Sequence, residues 1–382
     1  MSVVLSYTLI FLTFIYFIVS IILLVGTVRL KKKTKPSDSL PYVSVIVPAK
    51  DEEKLIAKCL DSLINQDYPA DKYEIIVIND RSIDKTPDII RQYQENHNKI
   101  KSIEIKANTS GLTGKQNAVN EGLKLSKGEI IMNIDADCIA TPKWIKKTVS
   151  HFTPETGLAM GFNITYSNEY RIFAELQSLD MLFLMDSASG SVGNNVYSSC
   201  AGSNIAYRKE ILGDQGHQKL GLSVTEDTAV IHLVSKSPNW NVSVVYDKDA
   251  MVMTPAEKSF KGFITQRIRW TLGGLASKSW ILLPLYSVFL YHLGLMILIP
   301  IAFFVDSLAK VVLCSYITKL IIDYIRCRHI CKSFDRLELM KVFMVYELFM
   351  IFYSVVIGFG SLFIRKIEWK GDTYDVFKIK DS

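Results

Sequence analysis

Apolar positions follow two patterns along this chain: long unbroken runs near the ends, and short β-branched runs in the middle. Val3 to Val28 is almost uninterrupted apolar sequence and exceeds the ~20 residues a membrane-crossing helix needs. Trp280 to Ile325 is long enough for two crossings, with Asp306 and Lys310 near its middle, and Val342 to Ile364 suffices for another. In the middle, Val43 to Val47 predicts a buried parallel strand ended by Pro48. Leu55, Ile56, Cys59, Leu60 and Leu63 keep helical spacing up to Ile64. Glu74 to Ile78 predicts a second strand ending at Asn79-Asp80, and Thr86-Pro87-Asp88 opens the next helix. Ser102 to Ile105 is a third strand, Gly114 to Leu125 a third helix, and Ile130 to Ile134 a fourth strand. Repeated strand-helix units of this length predict an α/β fold, an open and mostly parallel sheet with helices on both faces.

Charge and cysteine usage refine this. The net charge of +6 is concentrated beside the apolar runs, which points to a membrane surface and not to nucleic acid. No basic stripe interleaved with aromatics occurs, as single-strand binders require. Lys31-Lys32-Lys33 and Lys35 follow the first apolar run. Cationic flanks stay inside, so the middle domain faces the cytoplasm and the chain is a multi-pass protein of the inner or plasma membrane. The expected division is a transmembrane helix at 1–30, a cytoplasmic domain at 40–255, an interfacial helix at 256–279, a membrane region at 280–365 and a tail at 366–382. A basic loop, Arg326, Arg328, Lys332 and Arg336, is expected after the second apolar region. Three crossings after a cytoplasmic domain put the tail outside, whereas its opening Arg365-Lys366 favours the cytoplasm, so its side stays open. None of the six cysteines has a paired zinc spacing, and Cys327 and Cys331 beside His329 read as free thiols of a cytosolic loop.

Polar groups gather after the strand ends, the edge where open sheets bind ligands. Asp135 and Asp137, two apart after the fourth strand, point the same way. With diphosphate oxygens they make a hard oxygen site for Mg2+ or Mn2+, although strand-end turns also use this pattern. Asp80 fits either a contact to nucleobase or ribose or an Asx-turn into Arg81-Ser82. Gly111 to Lys115 turns into a helix start, where amides and Lys115 can meet phosphate, or where Lys115 is a plain loop lysine. The small residues Cys200 to Asn204 permit close backbone approach by a substrate, or form a tight turn. Thr225-Glu226-Asp227 opens a helix, so Thr225 caps it and the carboxylates favour its dipole, or one carboxylate is a base for an acceptor hydroxyl. Gln266, Arg269 and Trp270 share a helix face at i, i+3 and i+4, suited to diphosphate and a sugar ring or to a membrane interface. No glycine-rich phosphate loop is present.

Taken together, VSVIVPAKDEE, INDRSIDKT, DADC, AGSNIAYRKE, TED and QRIRW resemble the membrane-bound family 2 glycosyltransferases, a group that includes cellulose, hyaluronan and poly-N-acetylglucosamine synthases and ceramide glucosyltransferases. The resemblance runs from Val43 to Trp270, with Asp51 standing where asparagine is common. The tail segment WKGDTY resembles the ending of some lipid-modifying members, with Asp372 where arginine is usual. The resemblance implies an A-type nucleotide-sugar glycosyltransferase fold flanked by transmembrane helices, and inversion at the anomeric carbon. It puts Pro48, Ala49, Glu52, Asp80, Lys115, Asp135 and Arg269 on a nucleotide-sugar donor, with a UDP-sugar the expected one. It assigns the metal to Asp137 and Asp135, the base to Asp227, and a lipid or glycan acceptor to Gly202, Ser203, Glu226, Gln266 and Trp270. A lipid-acceptor transferase suits the short membrane region. A processive polysaccharide synthase and a non-catalytic nucleotide-sugar-binding membrane protein are the alternatives.

Overall fold

The computed structural model describes residues 2–33, 37–108, 111–112, 114–167, 169, 171–221, 223, 226–275, 282–364, 366–369 and 372–375. Thr113, Thr225, Trp280, Arg365, most of the final tail and part of WKGDTY lie outside them. The chain divides into an α/β unit (31–166, 197–255 and 366–382) and a helical unit (1–30, 167–196 and 256–365).

Up to residue 255 the described residues of the α/β unit form β1 (Val43–Ala49), β2 (Tyr73–Asp80), β3 (Ile100–Ile105), β4 (Ile130–Asn133), β5 (Ile139–Ala140), β6 (Thr156–Met160), β7 (Asn163–Tyr166), β8 (Ile205–Arg208), β9 (Asn241–Val244) and β10 (Val252–Pro255), and a two-stranded hairpin, Lys366–Trp369 with Asp372–Asp375, lies in 366–382. The main sheet has the order β3-β2-β1-β4-β8-β6-β9. β1 pairs in parallel with β2 from Val43↔Tyr73 to Ala49↔Asn79, and with β4 from Val43↔Ile130 to Ile46↔Asn133. β8 alone runs antiparallel to its neighbours β4 and β6. A smaller sheet, β5-β10-β7, follows the Asp135-Ala136-Asp137 turn.

Parallel strands buried on both faces need near-continuous apolar runs, and Val45–Val47 of β1 and Ile75–Ile78 of β2 provide them, while the buried Glu74 accepts from Ser44 Oγ at 2.7 Å. One face packs Val45, Val47, Ile75 and Val77 with Ile56, Leu60 and Leu63 of the Ile56–Ile64 helix. Each such side chain contributes roughly 1.5–3 kcal/mol when fully buried. On the other face Ile46 and Ile78 lie so close to Gly122 that a Cβ there would meet them at 2.8 and 2.7 Å. The helix Gly114–Leu125 therefore sits tight on the sheet, which fixes where its first turn delivers Lys115.

The helical unit contains Ser2–Lys33, Arg171–Gly193, Phe260–Leu275, Leu282–Ala302, Asp306–Ser333 and Phe343–Phe363. Among the described residues, Ser2–Leu30 and Leu337–Phe363 are long and apolar enough to cross a membrane. The first helix meets Arg171–Gly193 through glycines: a Cβ on Gly26 would overlap the Gly190 carbonyl oxygen. Leu9, Tyr16, Tyr291, Leu295, Val312 and Ile351 form this unit's apolar core. Within it Tyr16 donates to Asp323 at 2.7 and 2.8 Å, and Lys319 bonds both Asp323, at 2.8 Å, and Glu347.

The expected basic loop is instead helix. Arg326, Arg328 and Lys332 lie within Asp306–Ser333, and Cys327 and Cys331 are buried free thiols on it. Arg326 is buried because it bonds Ser187 at 2.6 Å and pairs with Asp186. Arg336 follows the helix. Asp306 opens a helix after the turn at Phe303-Phe304, so the second apolar region is two helices broken there.

Candidate active site

The ends of β1 and β2 carry the first two motifs. Pro48 and Ala49 end β1, and Asp51 takes a left-handed turn at φ 54°, a conformation aspartate and asparagine tolerate best among residues with a Cβ. Its N–H donates to Ser82 Oγ at 3.0 Å, and its Oδ1 accepts from the Ile83 N–H at 2.8 Å. Glu52 N–H donates to Thr86 Oγ1 at 2.8 Å. These bonds lace the loop after β1 to the loop after β2. Asp80, the buried last residue of β2, receives Arg81 Nε at 2.7 Å and Nη2 at 3.2 Å.

The other motifs of this unit meet around one ammonium. Lys115 Nζ lies 2.7 Å from Asp135 Oδ1 and 3.1 Å from Glu226 Oε1. Burial opposes its charge, but Asp135, Glu226 and Asp227 outweigh that and hold its pKa above the usual lysine value. Gly202 completes the cluster: a Cβ there would lie 3.0 Å from Asp227 Oδ2 and 3.2 Å from Lys115 Nζ. Asp227 Oδ1 accepts its neighbour Thr228 N–H at 2.8 Å at the start of Glu226–Ser235. The adjacent Ser203 Oγ accepts from Asn163 Nδ2 at 2.6 Å.

Asp135, Asp137 and Cys138 bring one ligand atom each within 4.8 Å of one another. Burial pushes the Cys138 thiol well up, and it donates to Asp137 Oδ1 at 3.2 Å. A protonated thiol is a poor partner for a hard cation, so the two carboxylates are what fit Mg2+ or Mn2+.

Several residues organise the site through partners that lie far away in sequence. Asn204 Oδ1 accepts from the Trp144 indole at 2.8 Å, while Nδ2 donates to Phe162 O at 2.9 Å and Ala250 O at 3.2 Å. Gln116 holds the loop before Glu226 by bonding Gly221 O at 2.7 Å and the Ser223 N–H at 3.0 Å. In the helical unit Gln266, Arg269 and Trp270 stand on Phe260–Leu275. There Arg267, not singled out by its position in the sequence, is the buried arginine; it bonds Asp180 and lies 4.2 Å from the centroid of the Trp270 ring.

Residues 44–216 match the family described as Glycosyl transferase family 2. The chain is 36% identical over 162 residues to a beta-monoglucosyldiacylglycerol synthase of Nostoc sp., covering 41% of this chain and 34% of that protein. It is 27% identical over 238 residues to a poly-beta-1,6-N-acetyl-D-glucosamine synthase of Staphylococcus epidermidis, covering 61% of this chain and 54% of that one. The chain thus spans between a third and about half of these curated relatives. A mannosyltransferase from Pyrobaculum calidifontis, solved in complex with GDP-Man and Mn2+, superposes with a TM-score of 0.56 at 20% identity, covering 94% of this chain and 99% of that one. The fold is the A-type α/β fold with a mostly parallel central sheet that the resemblance implies.

Proposed function

We propose, on the premise that this chain carries a glycosyl transferase family 2 domain, that it moves a sugar from a nucleotide-sugar to a hydroxyl of a lipid acceptor, inverting the anomeric carbon. The observation that carries this reading is the meeting of three motifs at Lys115: Asp135 and Glu226 on its ammonium, with Asp227 against Gly202.

Asp227 takes the proton of the acceptor hydroxyl as that oxygen bonds the anomeric carbon. The bond from that carbon to the diphosphate oxygen breaks, and its electron pair leaves with the nucleoside diphosphate. Lys115 supplies fixed positive charge beside the leaving group, and Arg269 is assigned the same task by resemblance. When bound at Asp135 and Asp137, Mg2+ or Mn2+ neutralises charge on the diphosphate. Asp80 holds the nucleoside, next to Pro48, Ala49 and Glu52. Ser203, Gln266 and Trp270 take the acceptor side. Holding donor and acceptor in line supplies much of the rate.

A lipid acceptor is supported by the relative whose name is a glucosyldiacylglycerol synthase and by the apolar helices Ser2–Leu30 and Leu337–Phe363. Their outward faces carry exposed Tyr7, Phe11, Phe14, Leu348 and Phe352, as lipid contact requires. Lys31 to Lys33 at the end of the first helix support membrane anchoring with the α/β unit on the cytoplasmic side.

The test is transfer by the detergent-purified protein, given labelled UDP- and GDP-sugars, lipid extract and Mn2+, with Asp137→Ala as control. Label in extractable lipid, lost in the variant, is the expected result. Label in insoluble polymer would replace the proposal with a processive synthase, which the poly-N-acetylglucosamine synthase relative and the QRIRW motif favour. No turnover of any donor would refute catalysis.

A further inference from the structure

Of the two arginines in QRIRW, Arg267 is the one sealed inside the helical unit, at 3% exposure. Its Nε and Nη2 both donate to one oxygen of Asp180, at 2.9 and 2.7 Å. Its Nη1 donates to Gln266 Oε1 at 2.7 Å. The guanidinium carbon lies 4.2 Å from the centroid of the Trp270 ring and 4.5 Å from that of Phe263. One planar cation therefore grips the glutamine and the tryptophan of the motif together.

Asp180 anchors this cation from Arg171–Gly193, and its other oxygen accepts from Tyr353 and Tyr346, both on Phe343–Phe363. The far side of Gln266 is fixed too. Its Nε2 donates to Glu257 Oε1 at 3.2 Å, while the Glu257 backbone exchanges two hydrogen bonds with Gln177, at 2.9 and 3.0 Å. Both ends of the Gln266 amide are thereby committed, which sets its orientation.

We infer that Arg267, held by Asp180, is a positioning residue that fixes the Gln266 amide and the Trp270 ring for the acceptor. The inference rests on the reading in which those two side chains receive the acceptor. The fork of the guanidinium is essential: it reaches Asp180 and Gln266 at once and presents a flat face to Trp270. A lysine ammonium is a single point charge on a flexible stem, able to neutralise Asp180 but not to hold the other two. A bridge serving stability alone would accept lysine, or a neutral amide pair in place of both charges.

The experiment compares wild type, Arg267→Lys and the double variant Asp180→Asn/Arg267→Gln, using the nucleotide sugar and lipid that the wild type turns over. Thermal stability, donor KM, acceptor KM and kcat are read for each. The expected result is folded protein with unchanged donor KM, and an acceptor KM raised about tenfold or more, within the roughly hundredfold that a displacement of ~1 Å in a positioning group can cost. An acceptor KM unchanged in Arg267→Lys overturns the inference, and if that variant does not fold, an unchanged acceptor KM in the double variant does so. Donor and acceptor KM rising together would also overturn it, since the role would then be general to the unit. A wild type that transfers no sugar would instead defeat the functional reading beneath.

Discussion

Replacing Lys115 with methionine keeps most of the side chain's length and removes the ammonium that two carboxylates share. The bond to Glu226, whose side chain is 9% exposed, is nearly dry, and as a charge-assisted bond it is worth about 2 kcal/mol. The Asp135 side chain is 36% exposed, so solvent screens its pair and about 1 kcal/mol is the fair figure. A loss of about 3 kcal/mol is therefore expected, and Asp135, Glu226 and Asp227 are left to repel one another. For a domain of this size that lowers Tm by roughly 6–12 °C. The pH dependence has a defined sign. Because Asp135 and Glu226 hold the folded pKa of Lys115 above its ordinary value, its contribution is fully present below about pH 10.4. It is lost only as pH rises through the folded value, so the lysine's contribution to the gap between wild type and variant is flat from neutral to mildly alkaline pH. Scanning fluorimetry of the purified protein measures the shift, and Lys115→Met combined with Glu226→Gln closes a double-mutant cycle. A variant that melts with the wild type, or a cycle with no coupling, would refute the reasoning.

Three further outcomes follow from the same geometry. Asp227→Asn keeps donor binding, measured by calorimetry, while transfer falls by about 10²–10⁴, the usual contribution of a general base; persistent transfer would show that Asp227 is not the base. Burial lowers the pKa of His217 to about 4, so its neutral form stabilises the fold above pH 6.5, and this is lost as pH falls towards 4. The loss amounts to about 3 kcal/mol, and His217→Gln should flatten the acid limb of a Tm–pH profile. Asn204→Ala removes bonds to Trp144, Phe162 and Ala250 and should cost about 3 kcal/mol at about 1 kcal/mol each, read by denaturant unfolding.

Much of the α/β unit was legible in the chain because burial imposes local periodicity. The continuous apolar runs of β1 and β2 and the helical spacing of Ile56, Cys59, Leu60 and Leu63 register the core one segment at a time. Polar residues at strand ends were legible too, since a parallel sheet places those ends on one edge. Thus Asp80, Asp135 and Asp137 stood out as strand-end candidates, and Lys115 and Asp227 as helix-start candidates, before any fold was known. Tertiary structure alone decided who meets whom. Asp51 could be read as a departure from the first motif, but its left-handed turn depends on Ser82 and Ile83 of another loop. The antiparallel pairing of β8 with β4 and β6 joins segments far apart in sequence, which no periodicity records. Arg326 looked like loop because a charge in an apolar region suggests exposure, until Ser187 and Asp186 supplied its partners. Arg267 and Asp180 are far apart in sequence and unremarkable singly. A hydrophobic pattern reports whether a residue is buried, whereas a buried charge is tolerated only where another segment brings its counter-ion, and packing alone brings those segments together.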